Sequence, residues 1–251
     1  MIFEEPVFKP LADCYLGVYF GDEADMALNF RVLALLEVLE REQVDGIVEV
    51  IPTVTQLGIV IDRRRISHGK LEETIRRLLP DVEQTGELSS RLLRIPVWYD
   101  DPWSAEMAER FDVPRNIDFV AEHNGIDIAA VIERHTGGEQ WVPWVGFVPG
   151  CYVSYPLDPA NQLSAPKYKT PRSDTPARAL SLAGLATATY PFASPGGFQL
   201  IGRLPVEIYE PVPRNDAFPP DGVLMRPGDR IQYLNIGPAE YERLREESLT
   251  G

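Results

Sequence analysis

Residues 13–61, DCYLGVYFGDEADMALNFRVLALLEVLEREQVDGIVEVIPTVTQLGIVI, decide how the fold is read. Asp13 to Phe20 alternates and is rich in Tyr, Val and Phe, the pattern of a strand, and Gly21-Asp22 turns the chain. From Glu23 the period changes. Leu28, Val32, Leu35, Leu36 and Leu39 fall on one face of a helix of four or five turns. Gly46 stops it, Ile47 to Ile51 resumes as a strand, Pro52 breaks the run, and Thr55 to Ile61 forms another strand.

Continuing outward, Ser67 is placed as the N-cap of a helix that runs to Leu79 and ends at Pro80, and Leu92 to Tyr99 reads as a fourth strand. The resulting order, β-α-β-β-α-β, is the split βαβ or ferredoxin-like arrangement, one antiparallel sheet with two helices on one face. This half contains no phosphate loop and no paired histidines, so it reads as a packing or docking module.

After Tyr99 the character changes. Asp100 to Arg115 is polar and reads as an inserted loop or short helix. Short helices are expected at Ile117–His123 and Ile128–Arg134, with Asn124-Gly125 as a C-cap between them. Between Pro143 and Pro238 fall 16 of the 23 prolines, too many for a helical domain. The apolar runs there, Leu180–Leu185, Gln199–Leu204, Val206–Tyr209 and Ile231–Ile236, are short and separated by Gly and Pro, as in a closed β-barrel or sandwich. The expected organisation is α+β: an α/β docking domain over 1–90, a β-barrel domain over 91–237 and a charged helical tail on the surface over 238–251.

Composition excludes several roles. Of 251 residues, 44% are hydrophobic and 25% charged, which are globular proportions. Lys and Arg number 24 against 38 Asp and Glu, a formal charge of −14. Such a surface repels phosphate backbones and anionic lipid heads, so neither nucleic acid nor a membrane surface is expected as a partner. The start, MIFEEPVFKP, reads as no signal peptide, and no apolar run is long enough to span a bilayer. Cys14 and Cys151 read as reduced core thiols of a cytoplasmic protein.

Nucleophile-elbow, metal-binding and dinucleotide motifs are missing, so no metal site is expected, and His68, His123 and His135 do not share a ligand spacing. Two stretches carry the candidate chemistry. In Ser194-Pro195-Gly196-Gly197, a turn with two glycines could present consecutive N–H groups to an anionic oxygen, and Arg203 on the next strand could add charged donors. In Pro166-Lys167-Tyr168-Lys169-Thr170-Pro171-Arg172, a proline-stiffened loop holds three cations in an acidic chain, as a carboxylate or phosphate clamp requires.

Together with Gly146-Phe147-Val148-Pro149-Gly150 and Tyr190-Pro191, these stretches resemble the allophanate hydrolase subunit 1 family, also called the KipI family or the B-type subunit of prokaryotic 5-oxoprolinase. Phe20-Gly21-Asp22, Asn29-Phe30-Arg31-Val32 and the Gly46 to Pro52 segment extend the resemblance over nearly the whole chain. It implies a ferredoxin-like domain followed by a cyclophilin-like barrel. It also implies a KipA-like partner, the C-type subunit of 5-oxoprolinase, with a third LamB/YcsF-like subunit where ATP drives the opening of 5-oxoproline. The ATP belongs to the complex. Relatives imply two further activities: the carboxyltransferase part of a biotin-dependent urea or amide carboxylase, and inhibition of a histidine kinase.

Carried over residue by residue, the resemblance implies catalytic roles for His135 and Arg203. It implies that Arg172, Tyr190, Gly196 and Gly197, joined by Lys167 and Ser194 of the two stretches above, bind a lactam or amide, holding a carboxylate-like oxygen by hydrogen bonding rather than by attacking it. Six positions depart from the family pattern. Ala186 replaces a glutamine, Lys167 the first arginine, Arg178 a glycine, Asp100-Asp101 a Gly-Gly pair, and Cys151 an aromatic residue.

Overall fold

The structure, a computed structural model, describes residues 1–214 and 216–250. The chain divides into two units, Met1–Ser90 and Arg91–Gly251.

The first unit contains β1 (Ile2–Ala12), β2 (Tyr15–Gly21), α1 (Met26–Glu42), β3 (Ile47–Pro52), β4 (Gln56–Ile61) and α2 (His68–Glu83). Its antiparallel sheet has the order β1-β2-β4-β3. Alternate residues Leu16, Val18 and Phe20 of β2, with Leu57, Ile59 and Ile61 of β4, are buried against the apolar stripes of both helices. Those stripes are Leu28, Val32, Leu35 and Leu39 of α1, and Leu71, Ile75, Leu78 and Val82 of α2. Ser67 caps α2 as expected, its hydroxyl accepting the Lys70 N–H at 3.2 Å.

One strand is added to the expected elements, and two expectations are corrected. The opening residues form β1, whose Pro6 and Pro10 are tolerated because it is an edge strand with irregular register beside β2. Helix α2 does not end at Pro80 but continues through it to Glu83, burying Val82 in the core. The strand at Leu92–Tyr99 belongs to the second unit, and the place beside β2 is filled by β1 instead. The first unit therefore runs β-β-α-β-β-α rather than β-α-β-β-α-β.

The second unit begins with β5 (Leu92–Tyr99), α3 (Pro102–Arg110), α4 (Asn116–Asn124) and α5 (Ile128–Thr136). It continues with β6 (Gln140–Val145), β7 (Tyr152–Pro156), a 3₁₀ turn at Pro159–Asn161, β8 (Arg172–Thr175), β9 (Ala179–Ala183) and β10 (Ala186–Thr189). Then follow β11 (Ser194–Gly196), β12 (Gln199–Arg203), β13 (Arg230–Asn235) and α6 (Pro238–Thr250). Seven strands close a barrel in the order β10-β7-β6-β13-β5-β12-β9, while β8 and β11 form a separate ribbon. Ile95, Val97, Val142, Leu180, Leu182, Ile201 and Ile231 fill the barrel core. Val206–Tyr209 is not a strand: flanking prolines limit it to an isolated bridge between Tyr209 and Val223.

Helix α6 is more than a solvated tail. Tyr241 is buried, with its ring 5.4 Å from those of Trp98 and Trp103, and Arg245 pairs with Glu207 at 2.7 Å. Two departures from the family pattern explain themselves locally. Arg178 (φ 63°) and Asp100 (φ 53°) occupy the left-handed region that glycine takes most easily. Side-chain pairs hold them there, Arg178 with Glu207 at 3.2 Å and Asp100 with Arg115 at 2.7 Å. Among the described residues no helix is long and apolar enough to cross a membrane.

Candidate active site

The segments singled out in the sequence converge on one cleft of about 400 Å³ in the second unit. The β6–β7 hairpin supplies Trp144, Phe147, Cys151 and Val153, and the 166–171 loop supplies Lys167, Tyr168 and Pro171. Ala188, Tyr190 and the run Pro195 to Phe198 complete the wall. The hairpin turn is tight: the Gly146 N–H donates to the Cys151 carbonyl at 2.8 Å, and Gly150 takes φ 79° where a Cβ would overlap Tyr209. The loop is tied to the ribbon by the Tyr168 N–H, which donates to the Gly197 carbonyl at 2.8 Å. Asn116, at the start of α4, braces both sides by donating to the Tyr168 hydroxyl at 2.5 Å and accepting the Leu200 N–H at 2.8 Å.

Charge in and behind the cleft is positive. Lys167 is exposed, with Nζ 4.9 Å from the Phe198 ring centroid. Arg172 lies behind the wall with its guanidinium 5.1 Å from the Tyr168 ring, donating from Nη2 to the Phe198 carbonyl at 2.6 Å. Its Nη1 is buried without a partner, as is the hydroxyl of Ser194 on the facing strand. Burial pushes the Arg172 pKa below its ordinary value and the Tyr190 pKa above its own. Among the described residues no carboxylate forms an ion pair with Lys167 or Arg172.

The glycines of the 194–197 run are there for a different reason than expected. Ser194–Gly196 is a strand paired with Arg172–Thr175 rather than a turn, and neither Gly196 nor Gly197 has positive φ. Gly196 lacks a side chain because the Tyr190 ring packs on it.

His135 and Arg203 do not line the cleft. His135 is sealed in the barrel, its Nδ1 2.7 Å from the Tyr99 hydroxyl and its Nε2 2.9 Å from the Thr187 hydroxyl. Burial lowers its pKa to about 3, so the ring is neutral. It belongs to an interior polar network in which Ser154 donates to Gln140 at 2.8 Å and the Tyr152 and Tyr233 hydroxyls meet at 3.2 Å. Arg203 stacks 4.4 Å over the Trp103 ring, beside the Trp98 and Tyr241 cluster. Cys151 also lines the cleft, but burial pushes its thiol pKa up to about 12, which disfavours the thiolate.

Sequence reading missed the aromatic wall of Trp144 and Phe198. The signal was present as aromatics flanking the two glycine-bearing segments, but it resembled ordinary core filling. Ala186, where the family pattern has glutamine, packs with Val153, Ala188 and Phe198 in a small apolar cluster beside the cleft. A larger groove of about 800 Å³ on the first unit lies along β1, but its arginines are already ion-paired, Arg31 with Glu83 at 2.8 Å and Arg76 with Glu5 at 3.4 Å. Among the described residues no three His, Cys, Asp or Glu side chains gather as a metal would require.

Comparison with known proteins places this geometry among relatives. The carboxyltransferase domain, subdomain C and D, matches residues 6–219. The chain is 29% identical over 252 residues to the B-type subunit of 5-oxoprolinase from Bacillus subtilis (strain 168), covering 96% of this chain and 97% of that one. It is 25% identical over 257 residues to urea amidolyase of Lachancea kluyveri, covering 97% of this chain but 14% of that much longer protein. Among solved structures, TTHA0988 superposes with a TM-score of 0.68 at 31% identity, over 89% of this chain and 40% of that one.

Proposed function

The chain belongs to the carboxyltransferase domain, subdomain C and D, family, and from that premise we propose that it is one subunit of a heteromeric, ATP-dependent amidohydrolase of the 5-oxoprolinase kind. It works with a KipA-like barrel partner, and a LamB/YcsF-like subunit completes the assembly. Its own part is to hold a lactam or amide while ATP is consumed elsewhere in the complex. The observation that carries this reading is the cleft itself, which offers Lys167 without an ion-pair partner among the described residues, aromatic walls, and a cysteine whose burial disfavours the thiolate. A site so built binds and orients, and leaves bond-breaking to another subunit. The barrel is read as cyclophilin-like, and the free thiols Cys14 and Cys151 fit the cytoplasm.

The match to urea amidolyase over 97% of this chain favours a second reading, a carboxyltransferase subunit acting on urea or an amide with biotin carried by a partner. Native co-purification from the host, followed by assay of the recovered assembly for ATP-dependent amide opening, separates the two. A KipA-like partner with ATP-dependent opening is the expected result. A biotin-carrying partner with carboxyl transfer replaces the first reading with the second. A histidine kinase recovered alone overturns both in favour of a regulator.

A further inference from the structure

Resting on the reading of the 144–198 cleft as the ligand site, we propose that it takes a ring-bearing carboxylate: an amide or lactam whose carboxylate meets Lys167 and whose aryl-sized apolar body lies against Trp144, Tyr168 and Phe198.

The size of the cleft favours more than a small lactam. It encloses about 400 Å³, and a five-membered lactam with one carboxylate fills roughly a third of that. The remainder is walled mainly by aromatic rings, proline and alanine, so water there would lack the polar partners that hold it in place. An apolar ring on the ligand displaces that water favourably, whereas a compact polar amide would leave it.

Charge favours an anion. The chain carries a formal charge of −14, yet Lys167 lines this cleft and Arg172 stands behind its wall, and among the described residues neither forms an ion pair with a carboxylate. Elsewhere the arginines are mostly paired, including Arg31, Arg91, Arg178 and Arg214. Positive charge left uncompensated in an acidic protein, beside a cavity, selects an anion.

Backbone strain marks the same place. Phe147 is 67% exposed and holds φ 75°, a conformation that costs a bulky side chain about 1–2 kcal/mol. Phe147 lines the cleft while most of its surface remains open. An aromatic face kept in that position at such a cost is a ligand surface rather than core packing.

The test is calorimetric titration of N-benzoylglycine, 5-oxoproline and benzamide into the purified full chain and into the assembly recovered with it. N-benzoylglycine is expected to bind at least about tenfold more tightly than either of the others. Lys167→Glu is expected to weaken it by about tenfold or more, with Lys167→Met as the substitute should the glutamate disturb folding. Equal or tighter binding of 5-oxoproline overturns the proposal, as does an unaffected Lys167 variant or no binding in either preparation. Turnover of 5-oxoproline by the assembly without N-benzoylglycine binding sinks this inference and leaves the amidohydrolase reading standing. Binding of N-benzoylglycine by an assembly with no ATP-dependent amidase activity supports the inference and sinks that reading.

Discussion

The Tyr190 ring occupies the space that a side chain on Gly196 would need, and a Cβ built there overlaps the tyrosine hydroxyl. Because both residues line the cleft, its shape on that side is set by a ring packed on bare backbone. The same ring sits next to the charge of Arg172, whose Nη2 donates to the Phe198 carbonyl at 2.6 Å. Tyr190, Gly196, Phe198 and Arg172 therefore act as one packed unit.

Substituting Gly196→Ala is expected to destabilise the chain by about 1–3 kcal/mol through overpacking. Urea unfolding measures this. The cost should shrink in a Tyr190→Ala background, because the clash partner is then gone. Simple additivity of the two changes would show that the ring and the glycine are not coupled.

His135 makes stability depend on pH in a defined direction. Its folded pKa is lowered by burial to about 3, below the ordinary value of 6.5. Between these values the unfolded chain binds a proton that the folded chain refuses. Stability is therefore full above the unfolded value and falls as pH drops from about 6.5 toward 3, by up to about 1.4 kcal/mol per pH unit. A His135→Gln variant, less stable at neutral pH, should lack this share of the slope. Unfolding curves at pH 7, 6 and 5 for the two proteins decide it, and parallel profiles would contradict the assignment.

Arg203 is expected to act through packing. Replacing it with alanine removes the stack on Trp103 and should cost about 1–2 kcal/mol of stability. Tryptophan emission should shift, since Trp98 and Trp103 share that cluster. Turnover of the assembled complex, corrected for the folded fraction, should stay within about twofold of the parent. A larger loss would return Arg203 to the reacting centre.

Phe147 offers an opposed pair of effects. Phe147→Gly relieves the left-handed strain at φ 75°, so stability should hold or rise by up to about 1 kcal/mol. Affinity for N-benzoylglycine should fall at the same time. A loss of stability in thermal melts would instead make this phenylalanine a structural anchor.

Much of this architecture is legible residue by residue. The stripe of Leu28, Val32, Leu35 and Leu39, the cap at Ser67 and the glycine stop after Asn124 each follow from local physics, and all three are found where expected. Cleft residues Lys167, Tyr190, Gly196 and Gly197 are also visible, because proline and glycine mark constrained loops in any context. Local reading fails at Pro80, where proline argues against regular structure that the end of a helix in fact tolerates.

What the sequence determined alone was the periodicity, and with it the helices, most strands and the excess of acid over base. Only tertiary structure decided which sheet Leu92–Tyr99 would join, since its alternating apolar residues suit the first unit's sheet and the barrel equally well. The same holds for His135 and Arg203. The sequence shows a titratable ring and a cation, but whether they face a cleft, a sealed core or a tryptophan depends on which strands close the barrel around them. That closure rests on pairings between residues far apart in the chain, such as Arg230 with Leu92, and local chemistry does not encode them.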